Sequence, residues 1–152
     1  DKIKGYKNFA NKVWNISRFI LESAGETFYN EEFTNFTDTD KELIKQRDAI
    51  IADITKDIDE YRFYLAGEKI YHYIWDTLAS DIIEASKPIL GKDATATEEE
   101  KQSRKQFLLS TLLVSLKTLH PFMPFVTEDI WQSLNTKEPM LMIAAWPETH
   151  HA

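Results

Sequence analysis

Apolar residues recur at helical spacing along most of this 152-residue chain, and this periodicity limits its fold more than any other feature. In residues 4–24 the apolar positions Phe9, Val13, Ile16 and Ile20 form one stripe of an α-helix. Similar stripes cover residues 38–60, 62–86, 98–119 and 127–134. The 4 glycines and 5 prolines are too few for the turns of a β-sandwich or barrel. The pattern predicts an all-α helical bundle of four to five helices. The large apolar residues expected to pack its core include Trp14, Tyr71, Trp75, Leu112, Leu116 and Phe125.

Glycine and polar capping residues mark the helix ends in the first half of the chain. Gly25 is predicted to end the first helix, and residues 26–37 are predicted to form a loop. Asp38 or Thr39 is predicted to cap the second helix, which gives way to the third near Tyr61.

Proline and a polar linker divide the second half. Pro88 and Gly91 are predicted to close the third helix. Thr97, which three glutamates follow, is predicted to begin the fourth helix, because carboxylates are favoured at a helix N-terminus. Thr127 is predicted to open the short last helix, and the apolar tail MLMIAAWPE (140–148) is predicted to lie extended across the bundle.

Charge is distributed unevenly along the chain, whose net charge is −7. Residues 1–20 sum to +4 and the remaining residues to −11. The charged residues of the first segment are Lys2, Lys4, Lys7, Lys12 and Arg18, against Asp1. Because the local field decides whether a phosphate backbone approaches, this segment is a candidate nucleic-acid surface. An ordinary solvated basic stretch is the alternative, and charge alone does not separate the two.

The residue patterns of common enzyme classes are missing from the sequence. It has no glycine-rich phosphate loop, no dinucleotide-binding turn and no GxSxG motif. It has no cysteine, which excludes thiolate zinc sites and a cysteine nucleophile. Glu68 and His72 are four residues apart, but a di-metal bundle needs two Glu-x-x-His pairs. No catalytic residue, metal ligand or cofactor site is predicted, and no apolar run reaches the ~20 residues of a membrane span.

One face of the first helix combines amide, cationic and aromatic side chains. At about 100° per residue, a cluster forms away from the apolar stripe. Its members are Asn8, Asn11, Lys12, Asn15, Arg18, Phe19 and Glu22. Asparagine amides can pair with base edges, cations meet phosphates or bases, and a Phe ring can stack on an unpaired base. The alternative is a polar flank on which Phe19 packs against a neighbouring helix.

Four segments of the chain, in this order, resemble the anticodon-binding domain of valyl-tRNA synthetases, which are class I aminoacyl-tRNA synthetases. They are KNFANKVWNISRFIL (7–21), YRFYLAGEKIYHYIWDTLASDIIEASKP (61–88), LHPFMPFVTEDIWQSL (119–134) and LMIAAWPE (141–148). Isoleucyl, leucyl and methionyl relatives share the bundle, but NKVWNISRF is most similar to the valyl form. The chain departs from the family at Ser80–Asp81, where Asp–Trp is usual, and it lacks a Trp near the start of the second helix.

The resemblance implies which residues face the anticodon. Lys12, Asn15, Arg18 and Phe19 match family residues on the anticodon-facing helix, and Ile83 matches an apolar residue that also faces the anticodon. The helix face adds Asn11 to this set. The predicted RNA-binding residues are therefore Asn11, Lys12, Asn15, Arg18, Phe19 and Ile83.

The resemblance also implies a larger enzyme of which residues 1–152 form a single domain. The HIGH-like and KMSKS-like nucleotide-binding signatures of the family are absent, as is its C-terminal coiled coil. The implied parent is a cytoplasmic enzyme that uses ATP to attach valine to tRNA(Val). The implied partners of this domain are the anticodon stem-loop of tRNA(Val) and the catalytic domain of the same enzyme, with no DNA and no membrane.

Three other interpretations stay open on the sequence. The chain could be a stand-alone protein-interaction bundle whose acidic helices form the contact face. It could be a bundle enzyme with a buried metal, or the equivalent domain of an isoleucyl or leucyl relative. Salt-dependent binding of tRNA separates the first of these from an RNA-binding module.

Overall fold

The computed structural model describes residues 2–134 and 146–147, with side chains from residue 4 onwards. The helices are α1 (Lys2–Ala24), α2 (Asp38–Asp59), α3 (Phe63–His72), α4 (Ile83–Leu90), α5 (Glu98–Leu119) and α6 (Pro124–Gln132). A π-helical segment (Tyr73–Ile82) joins α3 to α4, so these three form one continuous rod. Within the described residues the chain is therefore a bundle of five rods without strands, and the predicted all-α bundle is confirmed.

Both ends of the loop after α1 follow local backbone chemistry. Gly25 ends α1 in the left-handed region, at φ +59°, as predicted. The cap of α2 was predicted one or two residues too late, because the residue with extended backbone is Thr37. Its hydroxyl accepts a hydrogen bond from the Asp40 backbone N–H at 3.2 Å. Thr97 caps α5 in the same way and confirms the predicted start.

The place of Pro88 and the start of the last helix differ from the prediction. Pro88 lies inside α4, which continues to Leu90 because the Gly91 N–H still bonds to the Lys87 carbonyl at 2.8 Å. Pro124 begins α6 at its first turn, where a missing N–H costs no helical hydrogen bond. The last helix thus starts three residues before Thr127, which is buried and donates its hydroxyl to the Met123 carbonyl.

Helix α5 is the central element, and the other rods align on it. Asp40 and Arg47 of α2 contact Arg104 and Thr111 of α5 respectively, so these two helices run parallel. The rod that contains α3 and α4 runs the opposite way, because Ser86 near its end contacts Arg104 near the start of α5. The apolar stripe that the spacing predicts for residues 98–119 is buried in α5: Phe107, Leu108, Leu112, Leu116 and Leu119.

The predicted core is partly wrong outside α5. Phe125 is 82% exposed, because α6 turns Thr127, Ile130 and Trp131 inward and Phe125 lies on the opposite side. Tyr71 is 39% exposed at the edge of an aromatic cluster. Trp14 and Trp75 are half-buried and pack against the core, while Leu112 and Leu116 are buried as predicted.

The predicted course of the tail falls outside the described residues except at Trp146 and Pro147. The Trp146 indole N–H donates a hydrogen bond to the Thr55 hydroxyl of α2 at 2.9 Å. This bond connects the end of the chain to the second helix.

Candidate RNA-binding face

The candidate site lies on the side of α1 that turns away from the core. Phe9, Val13, Ile16 and Ile20 are buried against the bundle. Because the helix repeats every 3.6 residues, this stripe leaves the opposite side free. Asn8, Asn11, Asn15, Arg18 and Glu22 are exposed there, and Lys12 and Phe19 lie at its edge, half-buried. We call these seven residues the α1 face.

Arg18 differs from the other arginines of the chain in having no partner among the residues that the structure describes. Arg47, Arg62 and Arg104 each form an ion pair with an aspartate, at 3.1, 2.9 and 2.9 Å. Arg18 is exposed, and no hydrogen bond or ion pair joins its guanidinium to any residue that the structure describes. Its five donors are available for a phosphate or for the edge of a base.

Asn11 and Asn15 stand beside Arg18 with exposed side chains. A carboxamide offers both a donor and an acceptor, so it can match the mixed pattern of a base edge. Neither amide is bonded within the described part of the chain. The two asparagines are therefore available for a ligand rather than used in capping or packing.

Lys12 is held by an aromatic ring instead of a carboxylate. Its ammonium lies 5.1 Å from the centroid of the Trp75 ring in the π-helical segment. The sequence predicts Trp75 in the core but not this contact, because the two residues are 63 positions apart and no local pattern connects them.

The position of Phe19 is compatible both with packing against the core and with contact to a ligand. Its side chain is half-buried and packs against the hydrophobic core. The remaining surface is accessible at the edge of the α1 face. The contact with the core holds the ring, and the accessible part can still meet an unpaired base.

Ile83 lies apart from the other five predicted residues. It is the first residue of α4, directly after the π-helical segment, and only 7% of its surface is exposed. The π-helical segment packs against α1, which brings this part of the rod beside the first helix. The structure thus unites Asn11, Lys12, Asn15, Arg18 and Phe19 on one face, with the Ile83 side chain largely covered.

The charges of α1 suit a polyanion. The helix contains Lys2, Lys4, Lys7, Lys12 and Arg18, and Glu22 is its one acidic residue. The chain as a whole carries −7. A cationic helix on an acidic bundle concentrates the attractive field for phosphates at one side of the molecule.

The described part of the chain holds neither a metal-binding cluster nor a membrane-spanning helix. His72 Nδ1 lies 3.0 Å from an Asp76 carboxylate oxygen, and both side chains are exposed. No group of three or more metal-binding side chains occurs among residues 2–134 and 146–147. None of the helices described above has the length and apolar character needed to cross a membrane.

Comparison with known proteins decides the family. Residues 40–152 match the family described as the anticodon-binding domain of tRNA ligase. The chain belongs to this family. The matched region of this anticodon-binding domain begins in α2, so the α1 face lies outside it.

Whole-chain relatives extend the match to α1. A valine–tRNA ligase of Staphylococcus aureus is 39% identical over the full chain. Those of Listeria monocytogenes and Thermotoga maritima are each 37% identical, over 99% and 94% of the chain. The chain spans only 17%, 17% and 16% of the length of these three relatives.

Proposed function

We propose that this chain is the anticodon-binding domain of a valine–tRNA ligase and that its α1 face binds the anticodon stem-loop of tRNA(Val). The observation that carries the proposal is Arg18, an exposed arginine without a partner among the described residues, beside two free asparagine amides. The whole-chain similarity to valine–tRNA ligases supports the choice of tRNA.

An anticodon is a ligand that such a face can read. Bases of a single-stranded loop can leave the stack and present their edges and faces to a protein. Asn11, Asn15 and Arg18 would pair with base edges or phosphates. Lys12 would neutralise phosphate charge, and the accessible part of Phe19 would stack on a base. Ile83 would contribute an apolar contact beside α1, which requires its buried side chain to become accessible when RNA binds.

The wider activity belongs to the parent enzyme in this proposal. Residues 1–152 form one domain that binds tRNA without a catalytic residue, metal or cofactor of its own. A catalytic domain elsewhere in the same cytoplasmic polypeptide uses ATP to attach valine and is the second partner of this domain. The small share of each relative that the chain covers is consistent with such a larger enzyme.

The experiment is a binding titration with two tRNAs that differ only in the anticodon. We expect the chain to prefer the valine anticodon by about 5- to 150-fold, which corresponds to one good bidentate contact to a base. Affinity should also fall as salt is raised. Equal affinity for both tRNAs would reject the valine assignment, and absence of binding would reject the RNA-binding role.

One observation favours a second function. Tyr61, Tyr64 and Phe125 expose 82%, 77% and 82% of their surface, and aromatic residues are enriched in protein–protein contacts. A protein-interaction bundle would bind its protein partner through these residues, and the α1 face would not contact that partner. Under that alternative, Arg18→Ala has no effect on the affinity for the protein partner, whereas Tyr64→Ser and Phe125→Ser lower that affinity.

A further inference from the structure

Three aromatic rings form a cluster where α1 meets the π-helical segment. The Phe9 ring centroid lies 4.7 Å from that of Tyr71 and 6.3 Å from that of Trp75. The Tyr71 and Trp75 ring centroids lie 5.9 Å apart, and the two rings are stacked with nearly parallel planes, at 13° to each other. The buried Phe9 therefore anchors two half-exposed rings at the border of the α1 face.

Lys12 projects over this cluster, with its ammonium 5.1 Å from the Trp75 ring centroid. No carboxylate among the described residues pairs with it. An ammonium in this position is attracted by the negative face of the indole, and Trp gives the strongest such contact of the aromatic residues. Lys12 is thus restrained but not neutralised.

Trp75 lies in the π-helical segment, and the Ser80 side chain bonds to its backbone carbonyl. The Ser80 hydroxyl donates a hydrogen bond to the Trp75 carbonyl, five residues earlier, at 3.1 Å. The Ile83 N–H bonds to the Leu78 carbonyl, again five residues earlier. The second bond is a backbone π-helical turn, and such turns are rare and often occur at functional sites. Ser80, one of the two departures from the family pattern, is therefore a backbone partner of Trp75.

We propose that Trp75 is a positioning residue that holds the Lys12 ammonium at the edge of the α1 face, ready for a phosphate of the bound RNA. This inference rests on the proposed function. An exposed lysine side chain without contacts samples many rotamers, and it loses much of this freedom when it binds a ligand. The cation–π contact restrains Lys12 beforehand and leaves its charge available, whereas an acidic partner would compete with the phosphate.

The test is a double-mutant cycle in tRNA affinity with Lys12→Met and Trp75→Phe. Trp75→Phe keeps a ring against Phe9 and Tyr71 but weakens the contact with the ammonium. We expect it to lower tRNA affinity by about 2- to 5-fold in the original chain, the equivalent of one solvent-accessible cation–π contact. In the Lys12→Met background the same change should have almost no effect.

The matched control is Lys45→Met on α2, which removes an exposed lysine that forms no ion pair and no cation–π contact among the described residues. It should show no coupling with Trp75→Phe. The stability of every variant is measured by denaturant unfolding, so that affinities are compared between folded proteins.

A purely structural role of Trp75 would give a different result. Trp75→Phe would then change tRNA affinity by the same factor with and without Lys12, or not at all, and either outcome would overturn the positioning role. Failure of the proposed function is distinct from both, because the unmodified chain would then not bind tRNA.

Discussion

The Lys69 ammonium of α3 lies 2.5 Å from a carboxylate oxygen of Asp57, a buried residue near the end of α2. Arg62 donates two hydrogen bonds to the other oxygen, at 2.9 and 3.0 Å. Between the two helices the chain turns through Tyr61 in the left-handed region, at φ 62°. One buried carboxylate thus holds both sides of a corner that has an unfavourable backbone conformation.

We expect the stability of the domain to depend on Asp57 in acid. The hydrogen bond from Lys69, and then that from Arg62, lower the pKa of Asp57 below its ordinary value. A carboxyl whose pKa is lower in the folded state contributes stability above the unfolded pKa of about 3.9, and this is lost as the pH falls through the folded value. Asp57→Asn should flatten the decline of the unfolding free energy between about pH 5 and pH 2.

The control for this prediction is Asp59→Asn, which changes an exposed aspartate that lacks an ion pair within the described residues. Denaturant unfolding at several pH values measures both variants. Identical acid profiles for Asp57→Asn and the original chain would contradict the assignment.

A second buried pair, Asp40 with Arg104, should matter strongly for stability. The guanidinium donates to the carboxylate at 2.9 Å, and both side chains are at most 3% exposed. Removing one partner leaves an uncompensated charge in the core, so Asp40→Ala should cost about 3–5 kcal/mol. The double variant Asp40→Leu/Arg104→Leu should lose less than that. A loss below about 1 kcal/mol for Asp40→Ala would show that water or another residue replaces the partner.

The sequence predicted best where local chemistry decides the structure. The inward residues of α5 follow from their spacing, because a helix with this pattern has only one apolar stripe to bury. Gly25 and Thr97 act as predicted because a left-handed residue and a capping hydroxyl are local requirements. The start of α6 was predicted three residues too late, at Thr127, because a proline such as Pro124 both interrupts helices and occupies their first turn.

Contacts between distant segments could not be predicted in the same way. The spacing of apolar residues does not distinguish the outward Phe125 from the inward Trp131, since both belong to one short helix. The residues of the α1 face could be predicted from a helical wheel, because they all belong to one helix. The contact of Lys12 with Trp75 could not be predicted from the sequence, since it depends on how the π-helical segment packs against α1.

The isolated chain should not catalyse any step of aminoacylation. Its sequence lacks the nucleotide-binding signatures of the synthetase family. We expect no valine-dependent ATP–pyrophosphate exchange above background. Exchange by the pure chain that depends on valine would contradict the assignment of catalysis to another domain.

Arg18→Ala should weaken tRNA binding while leaving the fold intact. Because the side chain is exposed, stability should change by no more than about 0.5 kcal/mol. Loss of a contact to a base edge should cost about 1–3 kcal/mol and reduce discrimination between anticodons. Loss of a phosphate contact should weaken binding to all tRNAs alike and reduce the salt dependence by about one contact.

Arg18→Lys separates these two roles, since lysine keeps the charge but not the planar fork of donors. It should restore phosphate binding and not bidentate base recognition. If Arg18→Ala binds and selects tRNA as the original chain does, the centre of the α1 face has no part in recognition.

Substitutions of Phe19 test whether its side chain both packs against the core and stacks on a base of the RNA. Because the ring is half-buried, Phe19→Ala should cost about 1–3 kcal/mol of stability, less than the ~3–5 kcal/mol of a fully buried ring. If the accessible part stacks on a base, tRNA affinity should also fall by about 1–3 kcal/mol with little change in salt dependence.

The decisive variant is Phe19→Leu, which keeps an apolar side chain against the core but removes the aromatic face. Its stability should fall by less than about 1.5 kcal/mol. If Phe19 stacks on the anticodon, Phe19→Leu should lose nearly as much tRNA affinity as Phe19→Ala, since leucine offers no ring to a base. Thermal unfolding and tRNA titration on the same two proteins measure both effects. If the folded Phe19→Leu variant binds tRNA with normal affinity, Phe19 has only a packing role. Arg18 and the two asparagines would then be the recognition groups of α1.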